Sequence, residues 1–251
     1  MDRSHFEKEY RVRYFEVDYQ LKMLPTSLMN YFTDIATLHS EKCGAGLEFL
    51  KEHNLAWIVY RYDIKIHKPV YFNEKIKVST TACSFHRFNA YRTFYVDNES
   101  GERVAEANAL FMLIDYNKRR LTRIPEAFYE AYGASSGQNT PLDFNKPEAL
   151  KELSYQESFK VRYTDIDTNT HVNNVKYLDW LIESIPLEYI RSSYLSQIRI
   201  DYLKESVYGD IITSKVEIKE EDNGIRMLHS IENQKGQQIT MAETLWIKGN
   251  N

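Results

Sequence analysis

The stretch RVRYFEVD at residues 11–18 returns at residues 160–167 as KVRYTDID, an offset of 149 residues. Solenoid repeats have periods of about 20–50 residues, so a repeat at this distance has the size of a domain. The two copies are identical at four of the eight positions, and the differences include Glu16 against Asp165. The sequence therefore predicts two related domains in tandem.

A helical pattern follows each copy of the repeat. Apolar residues recur at spacings of three and four, which predicts a helix with one broad apolar face. The first set is Leu28, Tyr31, Phe32, Ile35 and Leu38, and the second is Val175, Leu178, Leu181, Ile182 and Ile185. Alternating segments typical of half-buried strands come next in each half. One helix followed by several antiparallel strands, twice, predicts an α+β fold.

The two halves are separated by the stretch of the chain richest in turn-forming residues. Gly, Ser, Asn and Pro concentrate in residues 133–141, which favours a loop there. We place a linker at residues 131–154 and domains at residues 1–130 and 155–251. In each domain a run of strands would curl around one long helix and bury its apolar face.

The composition is that of a globular protein able to bury a core. The chain has 251 residues, of which 43% are hydrophobic and 27% are charged, with only 9 Gly and 6 Pro. Its 32 basic and 36 acidic residues leave a net charge of −4. This balance argues against a protein built to bind nucleic acid or an anionic membrane, so neither is expected as a partner.

Cysteine usage and the amino terminus favour a reducing, cytoplasmic setting. Cys43 and Cys83 are the only cysteines, and no Cys/His cluster has the spacing of a zinc site. We therefore expect no disulfide, no metal and no organic cofactor. The amino terminus lacks the apolar segment of a signal peptide, and no run reaches the roughly 18 apolar residues of a membrane span.

The segment after the second repeat carries a recognisable motif. Residues 164–177, TDIDTNTHVNNVKY, resemble the signature of the acyl-ACP thioesterases of plants and bacteria. The shorter pattern at residues 167–174 is shared more loosely with hot-dog acyl-CoA thioesterases. The resemblance implies two tandem hot-dog domains, in which a sheet wraps a long central helix. It also implies hydrolysis of the thioester that joins a fatty acyl chain to the phosphopantetheine of acyl carrier protein.

The resemblance also implies a catalytic set. Matching the family's positions one by one gives Asp167, Asn169, His171 and Glu205. Plant members commonly carry Cys beside that Glu, where this chain has Ser206, so a papain-like Cys/His/Asn mechanism is disfavoured. We expect Asp167 to be the nucleophile or the principal base, with Glu205 and His171 managing the hydrolytic water. Asn169 and backbone N–H groups at the start of the next helix would polarise the carbonyl.

The repeat supplies an internal comparison for these residues. The offset of 149 sets Asp18, Gln20 and Lys22 against Asp167, Asn169 and His171. A second offset of 137 sets Lys68 against Glu205. The first domain therefore reads as a duplicate that has lost its chemistry. We expect one active site per chain, in the second domain, with the first domain shaping a pocket for the acyl tail.

Two further sets of residues are candidates for contacts with the substrate and its carrier. The candidate substrate-binding residues are Trp57, Tyr31, Phe32, Asn173 and Asn174. The run KRRLTR at residues 118–123 is usually a solvated surface, but acyl carrier proteins are acidic. The candidate carrier-docking residues are therefore Arg119, Arg120 and Arg123, helped by Arg191, Arg199 and Lys204.

Other functions stay open at this point. An acyl-CoA thioesterase would differ in carrier preference, and a non-catalytic acyl-thioester sensor would bind without releasing product. Retention of four polar candidate residues in one half disfavours the sensor. A hot-dog dehydratase is less favoured, because its active His and acidic residue lie in a different local pattern. Both a monomer and a homodimer are compatible with the sequence.

Overall fold

The computed structural model describes residues 3–134, 141–222 and 224–248. These form two compact units: unit 1 comprises the described parts of Met1–Tyr62 and His67–Phe144, and unit 2 those of Asp63–Ile66 and Asn145–Asn251. Part of the predicted linker, residues 135–140, lies outside the described residues. The linker and the domain limits that it sets stay predictions.

Unit 1 wraps an antiparallel sheet on one long helix. Its strands are β1 (His5–Arg11), β2 (Leu55–Ile66), β3 (Lys75–His86), β4 (Asn89–Asn98), β5 (Arg103–Asp115) and β6 (Arg120–Leu121). Its helices are α1 (Pro25–Lys42), α2 (Leu47–Glu52) and α3 (Glu126–Ala131). The strand order is β1-β3-β4-β5-β2, with β6 paired to β5. The last residues of β2, Asp63–Ile66, belong to unit 2.

The apolar face of α1 forms the core of unit 1. Pro25 occupies the first turn, where its missing N–H costs nothing. Leu28, Phe32 and Ile35 follow at helical spacing and are fully buried. Phe32 stacks on Phe94 of β4, with ring centroids 4.8 Å apart. The helical period of the sequence is thus satisfied by burial against the sheet.

Unit 2 repeats the plan. Its strands are β7 (Tyr155–Lys160), β8 (Ser193–Tyr202), β9 (Ile211–Glu221), β10 (Gly224–Asn233) and β11 (Gln238–Lys248). Its helices are α4 (Asn174–Glu183) and α5 (Leu187–Ser192). The strand order is β8-β11-β10-β9-β7. The α+β prediction is confirmed in both units.

The two units differ in their helices. Shifting α1 by 149 residues gives residues 174–191, and the same span in unit 2 is divided between α4 and α5. Pro186 lies at the break, where it lacks the N–H that a continuing helix needs and disfavours helical geometry in the preceding residue. Ile185, expected on the helix, is buried just beyond its end. The second helix is therefore shorter than its pattern predicted.

Candidate active site

A tight turn in unit 2 carries three of the four predicted catalytic residues. Ile166 pairs with Val172 across the turn, and the Asp167 N–H donates to the His171 carbonyl at 2.8 Å. Asp167 Oδ1 accepts the N–H of Asn169 at 2.8 Å, which is an Asx turn. The backbone can close here because residue 170 takes a left-handed conformation, with φ of +66°. Asp167, Asn169 and His171 are thereby held on one short loop.

A buried carboxylate anchors the start of this loop. Asp165 is fully buried and accepts from Arg162 three times, from the backbone N at 2.8 Å, Nη2 at 3.0 Å and Nε at 3.2 Å. Burial by itself raises the pKa of Asp165, but the hydrogen bonds and charge of Arg162 outweigh it and hold that pKa below its usual range. The Asp165 carbonyl also accepts the Asn173 N–H at 2.8 Å. The anchor therefore connects the loop to the start of α4.

The segment after β8 brings the fourth residue to the loop. The Val172 N–H donates to the Ser206 carbonyl at 3.0 Å, and the Ser206 N–H donates to the Tyr177 hydroxyl oxygen at 3.1 Å. These bonds fix the residue before Ser206, which is Glu205. Its Oε2 lies 3.5 Å from Nε2 of His171, and both side chains are partly exposed. A carboxylate and an imidazole thus face each other at a site that solvent can reach.

Tyr177 is a component of the site to which the sequence assigned no role. Tyr177 lies on α4. Burial raises the pKa of its hydroxyl to about 12, and the negative charge of Glu205 adds to this, whereas the hydrogen bond from Ser206 lowers the pKa. The phenol therefore stays neutral and holds the segment that carries Glu205. Tyr177 is the last residue of the quoted motif, so the signal was present, but its contact depends on a segment almost thirty positions away.

The two asparagines of the motif have structural partners at the start of α4. The Asn173 side chain accepts the Val175 N–H at 3.0 Å and caps the helix. The Asn174 carbonyl accepts the Tyr202 hydroxyl at 3.1 Å. The N–H groups of Val172, Asn173 and Val175 are thus already bonded within the protein. Contacts of Asn173 and Asn174 with substrate stay predictions.

Unit 1 contains the same turn without the same side chains. The Asp18 N–H donates to the Lys22 carbonyl at 2.8 Å, and Asp18 Oδ1 accepts the Gln20 N–H at 2.8 Å. Leu21 has φ of +62°, as its counterpart in unit 2 does. Lys22 donates to the Gln20 side chain at 2.8 Å. The turn itself therefore requires neither histidine nor the neighbouring carboxylate.

The structure corrects the second sequence offset. Met23 N–H donates to the Val70 carbonyl at 2.8 Å, the counterpart of the bond from Val172 to Ser206. Val70 and Ser206 are 136 residues apart, not 137. Pro69, rather than Lys68, therefore occupies the position of Glu205. Unit 1 has neither a carboxylate nor any side-chain donor there, which strengthens the contrast between the copies.

The predicted tail-binding residues lie in the core of unit 1. Phe32 is fully buried, and Trp57 packs edge-on against Phe128 at 5.3 Å between ring centroids. The Tyr31 hydroxyl donates to a Glu16 carboxylate oxygen at 2.5 Å. The pKa of Tyr31 is raised, mainly by burial and secondly by this hydrogen bond. Their contact with an acyl chain stays a prediction.

The predicted carrier-docking residues lie on and beside the β5–β6 hairpin. Arg119, Arg120 and Arg123 are exposed, and Arg119 is in the turn with φ of +52°. Of the helper residues, Arg199 is half-buried, with Nη1 3.1 Å from Glu243 Oε1 and Nε 3.8 Å from Asp63 Oδ2. Arg199 therefore belongs to an ion network within unit 2.

The described parts of the chain contain neither a metal-binding cluster nor a helix that could span a membrane. Within residues 3–134, 141–222 and 224–248, no group of three or more His, Cys, Asp or Glu side chains is placed to hold a metal ion. None of the helices in those ranges is long and apolar enough to cross a membrane.

Comparison with known proteins follows the division into two halves. The acyl-ACP thioesterase N-terminal domain matches residues 3–132, and the C-terminal domain matches residues 148–248. The chain is 24% identical to a chloroplast dodecanoyl-[acyl-carrier-protein] hydrolase of Cinnamomum camphora, over 96% of this chain and 67% of that protein. It is also 24% identical to oleoyl-acyl carrier protein thioesterase 1 of Arabidopsis thaliana, over 98% of this chain and 77% of that protein.

Solved structures show the same tandem hot-dog fold. A 12:0-ACP thioesterase from Umbellularia californica superposes with a TM-score of 0.84 at 20% identity, covering 98% of this chain and 94% of that one. An acyl-ACP thioesterase from Bacteroides thetaiotaomicron gives 0.81 at 21% identity, over 98% and 100%. The fold of both halves is confirmed as hot-dog.

Proposed function

Since this chain belongs to the acyl-ACP thioesterase family, we propose that it hydrolyses fatty acyl-acyl carrier protein to free fatty acid and holo-carrier, which ends fatty acid synthesis. The observation that carries the proposal is the pairing of His171 with Glu205, 3.5 Å apart, beside the turn of Asp167. Unit 1 keeps the turn but has Lys22 and Pro69 at the paired positions. The polar pair is therefore specific to unit 2.

The proposed chemistry uses the pair to activate water. His171 and Glu205 lie 3.5 Å apart, so together they can bind one water molecule beside the pair and take its proton. The water oxygen then bonds to the thioester carbonyl carbon, the C–S bond breaks, and the proton passes to the departing phosphopantetheine sulfur. Asn169 is the proposed carbonyl polariser, because it projects from the same turn and is half-buried.

Asp167 enters this scheme in one of two ways. Either its carboxylate attacks the thioester first, releases the thiolate and forms an anhydride that the activated water then hydrolyses, or it is the principal base that receives the proton of the attacking water. Its Oδ1 oxygen is occupied by the Asn169 N–H, as that of Asp18 is by the Gln20 N–H. The remaining carboxylate oxygen is the one that would attack the carbonyl or act as base. A single turnover in oxygen-18 water separates these roles. Label in the Asp167 carboxylate requires a covalent anhydride that water attacks at the aspartyl carbon. Label confined to the fatty acid, with no acyl-enzyme trapped by hydroxylamine, removes the nucleophile.

The test measures fatty acid release from matched acyl-ACP and acyl-CoA substrates. Wild type is expected to prefer the carrier protein, and His171→Gln and Glu205→Gln to lower kcat at least about 100-fold, the range of general acid-base catalysis. Lys22→Gln is the matched control, because it changes the same position of the turn in unit 1 and should leave release unchanged.

The alternatives are outcomes of the same experiment. Preference for acyl-CoA with the same loss in His171→Gln would keep the site and overturn the carrier. Tight acyl-ACP binding without release would instead identify a sensor and overturn hydrolysis. Full activity in both Gln variants would remove the pair from the mechanism.

A further inference from the structure

A buried arginine lies in the core of unit 1, on the side of β4 that faces α1. Arg92 is 8% exposed and lies two residues before Phe94, which packs on α1. Its Nη1 donates to Nδ1 of His39 at 2.9 Å and to the Thr80 hydroxyl oxygen at 3.2 Å. His39 is neutral, because burial and then the charge of Arg92 lower its pKa to about 4. Both hydrogen-bond partners of this buried charge are therefore uncharged.

One edge of the Arg92 guanidinium is left for a ligand. An arginine has five N–H groups in a planar fork, and the two on Nη1 are used by His39 and Thr80. Nε and Nη2 donate to no group of the residues that the structure describes. These two nitrogens form an edge that can hold two oxygens of one carboxylate or phosphate side by side. Arg92 thus presents a bidentate edge for an oxyanion.

Unit 2 shows that the fold does not need this charge. Val104 of β5 and Ile239 of β11 accept corresponding pairs of N–H groups, and the strand registers then match β4 with β10 at an offset of 135. Arg92 therefore corresponds to Met227, which is fully buried. Burying a charge costs free energy that burying a methionine does not. The arginine of unit 1 needs an explanation other than packing.

Two more cations lie near Arg92, at the carboxyl end of α1. The Arg3 carbonyl accepts the Cys43 thiol at 3.5 Å, and Lys42 Nζ lies 4.9 Å from the centre of the Phe6 ring. Burial raises the pKa of the Cys43 thiol, and the charges that oppose this rise are those of Arg92, Arg3 and Lys42. The three cations therefore act on one place beside Cys43.

No carboxylate balances these cations. Across the described ranges of the chain, no Asp or Glu oxygen lies at ion-pair distance from Arg3, Lys42 or Arg92. The neighbouring Glu41 is used elsewhere, where it accepts the Leu47 N–H at 2.8 Å. The carboxyl end of α1 supplies only about half a negative charge. The field at this end of the helix is therefore positive.

We propose that the carboxyl end of α1 in unit 1 is a phosphate-binding site, with Arg92 as its bidentate ligand and Arg3 and Lys42 as flanking charges. A phosphate group carries about −1.5 to −2 charges at pH 7, which balances three cations better than the single charge of a carboxylate. The planar fork of arginine also fits phosphate oxygens. This inference goes beyond the proposed hydrolysis and does not depend on it, because its readout is binding.

The test titrates inorganic phosphate against chloride at constant ionic strength. In ¹⁵N NMR spectra of wild type, the Arg92 Nε–H signal, assigned by its loss in Arg92→Met, should shift and saturate with a dissociation constant of about 1 mM or tighter. Calorimetry should show phosphate binding weakened at least about 10-fold in Arg92→Met, which carries the residue of unit 2. Lys118→Gln, an exposed lysine on the β5–β6 turn, is the control and should bind as wild type does.

A surface variant keeps the test sharp if Arg92→Met folds poorly. Lys42→Gln changes an exposed side chain and should weaken phosphate binding about 3-fold, with the loss shrinking as salt rises. Phosphate bound equally well by wild type and Arg92→Met would overturn the proposal. So would acetate that binds as tightly as phosphate, or an Arg92 signal that does not saturate by about 20 mM phosphate.

A second pair of probes separates the sources of the phosphate. Coenzyme A that binds more tightly than 3′-dephospho-coenzyme A, with the difference lost in Arg92→Met, would support a phosphate ester as the ligand. Arg92-dependent binding of inorganic phosphate without that difference would support the free ion.

Discussion

Asp18 and Asp167 occupy the same position in matching turns, and each carboxylate accepts the N–H two residues further on at 2.8 Å. Only one of the two turns carries the histidine. The structural need for an acceptor at this position is therefore separable from any chemistry of Asp167. Alanine removes the acceptor and the charge together, whereas asparagine keeps an acceptor oxygen and loses the charge. This makes asparagine the informative substitution.

Asp167→Asn should lower fatty acid release at least about 100-fold while changing the free energy of unfolding by less than about 0.5 kcal/mol. Asp18→Asn should leave both unchanged. Asp167→Ala should cost about 1 kcal/mol, because it loses the turn bond, and Asp18→Ala should cost about 1–2 kcal/mol, because Asp18 Oδ1 also accepts the Lys22 N–H at 3.0 Å. Denaturant titration and single-turnover release measure the two effects. Equal activity in the two Asn variants would contradict a chemical role for Asp167.

A buried histidine of β10 makes the stability of unit 2 depend on pH. His229 is fully buried beside Thr244 at 2.9 Å, and burial lowers its pKa to about 3. In the unfolded chain the pKa is near 6.5, so between pH 6.5 and 3 the unfolded state binds a proton that the folded state does not. The stabilisation is complete above pH 6.5 and is lost as the pH falls towards 3.

Lowering the pH from 7 to 4 should therefore reduce the free energy of unfolding by on the order of 2–3 kcal/mol through His229 alone. His229→Leu should flatten this dependence, because it removes the group that titrates. The variant should still fold, because the Thr244 hydroxyl keeps its bond from the Trp246 N–H at 2.9 Å. Exposed His53→Leu is the control and should keep the wild-type slope. Urea titrations at several pH values measure it, and an unchanged slope in His229→Leu would refute the assignment.

At the scale of elements, periodicity predicted one long helix in each half, but a proline decided the length of the second one. The pattern through Ile185 is equally apolar in both halves, and only Pro186 divides the second helix. The register after β8 could not be read from the sequence, because a shift of one residue leaves the apolar matches almost as good. The hydrogen bond from the Val172 N–H to the Ser206 carbonyl, matched by that from Met23 to Val70, fixes this register.

The candidate site was predictable to the extent that it is local in sequence. Asp167, Asn169 and His171 lie on one turn, so a motif can identify them together. Glu205 was placed by resemblance, and its distance to His171 follows only from the fold. Tyr177 could not be assigned, because its role is to accept a bond from a distant backbone N–H.

The segment before β7 is held to β9 by a buried carboxylate. Glu217 accepts the N–H of Lys151 at 2.6 Å and of Glu152 at 3.0 Å. Burial raises the pKa of Glu217, but these bonds and Lys219 outweigh it and lower that pKa. A carboxylate with two backbone donors is a strong local attachment.

Glu217→Ala should lower the free energy of unfolding by about 2–3 kcal/mol, because the backbone N–H groups of Lys151 and Glu152 lose their acceptor. Glu217→Gln should cost less, because it keeps one acceptor oxygen. Amide hydrogen exchange of residues 151 and 152 should accelerate in the Ala variant at a mild denaturant concentration, whereas Glu220→Ala, an exposed neighbour, should leave it unchanged. Protection that survives in Glu217→Ala would show that other contacts hold the segment.

At the scale of the whole molecule, the two units share a turn and differ in the side chains on it. Unit 2 brings His171 to Glu205, whereas unit 1 has Lys22 and Pro69 at the matching positions. Under the proposed function, one site per chain requires one productive encounter with the carrier per turnover. The cationic hairpin of unit 1 is the predicted place for that encounter, since carriers are acidic.

Arg119→Glu/Arg120→Glu should raise KM for acyl-ACP about 10-fold at low salt and leave acyl-CoA turnover unchanged, because only the carrier protein presents an acidic surface to the hairpin. The difference should shrink as ionic strength rises and the Debye length shortens. Lys235→Glu, an exposed cation on a turn of unit 2, controls for net charge and should leave both substrates unaffected. Equal losses with both substrates would place the effect in the fold rather than in docking. An unchanged KM for acyl-ACP would instead make the hairpin an ordinary solvated surface.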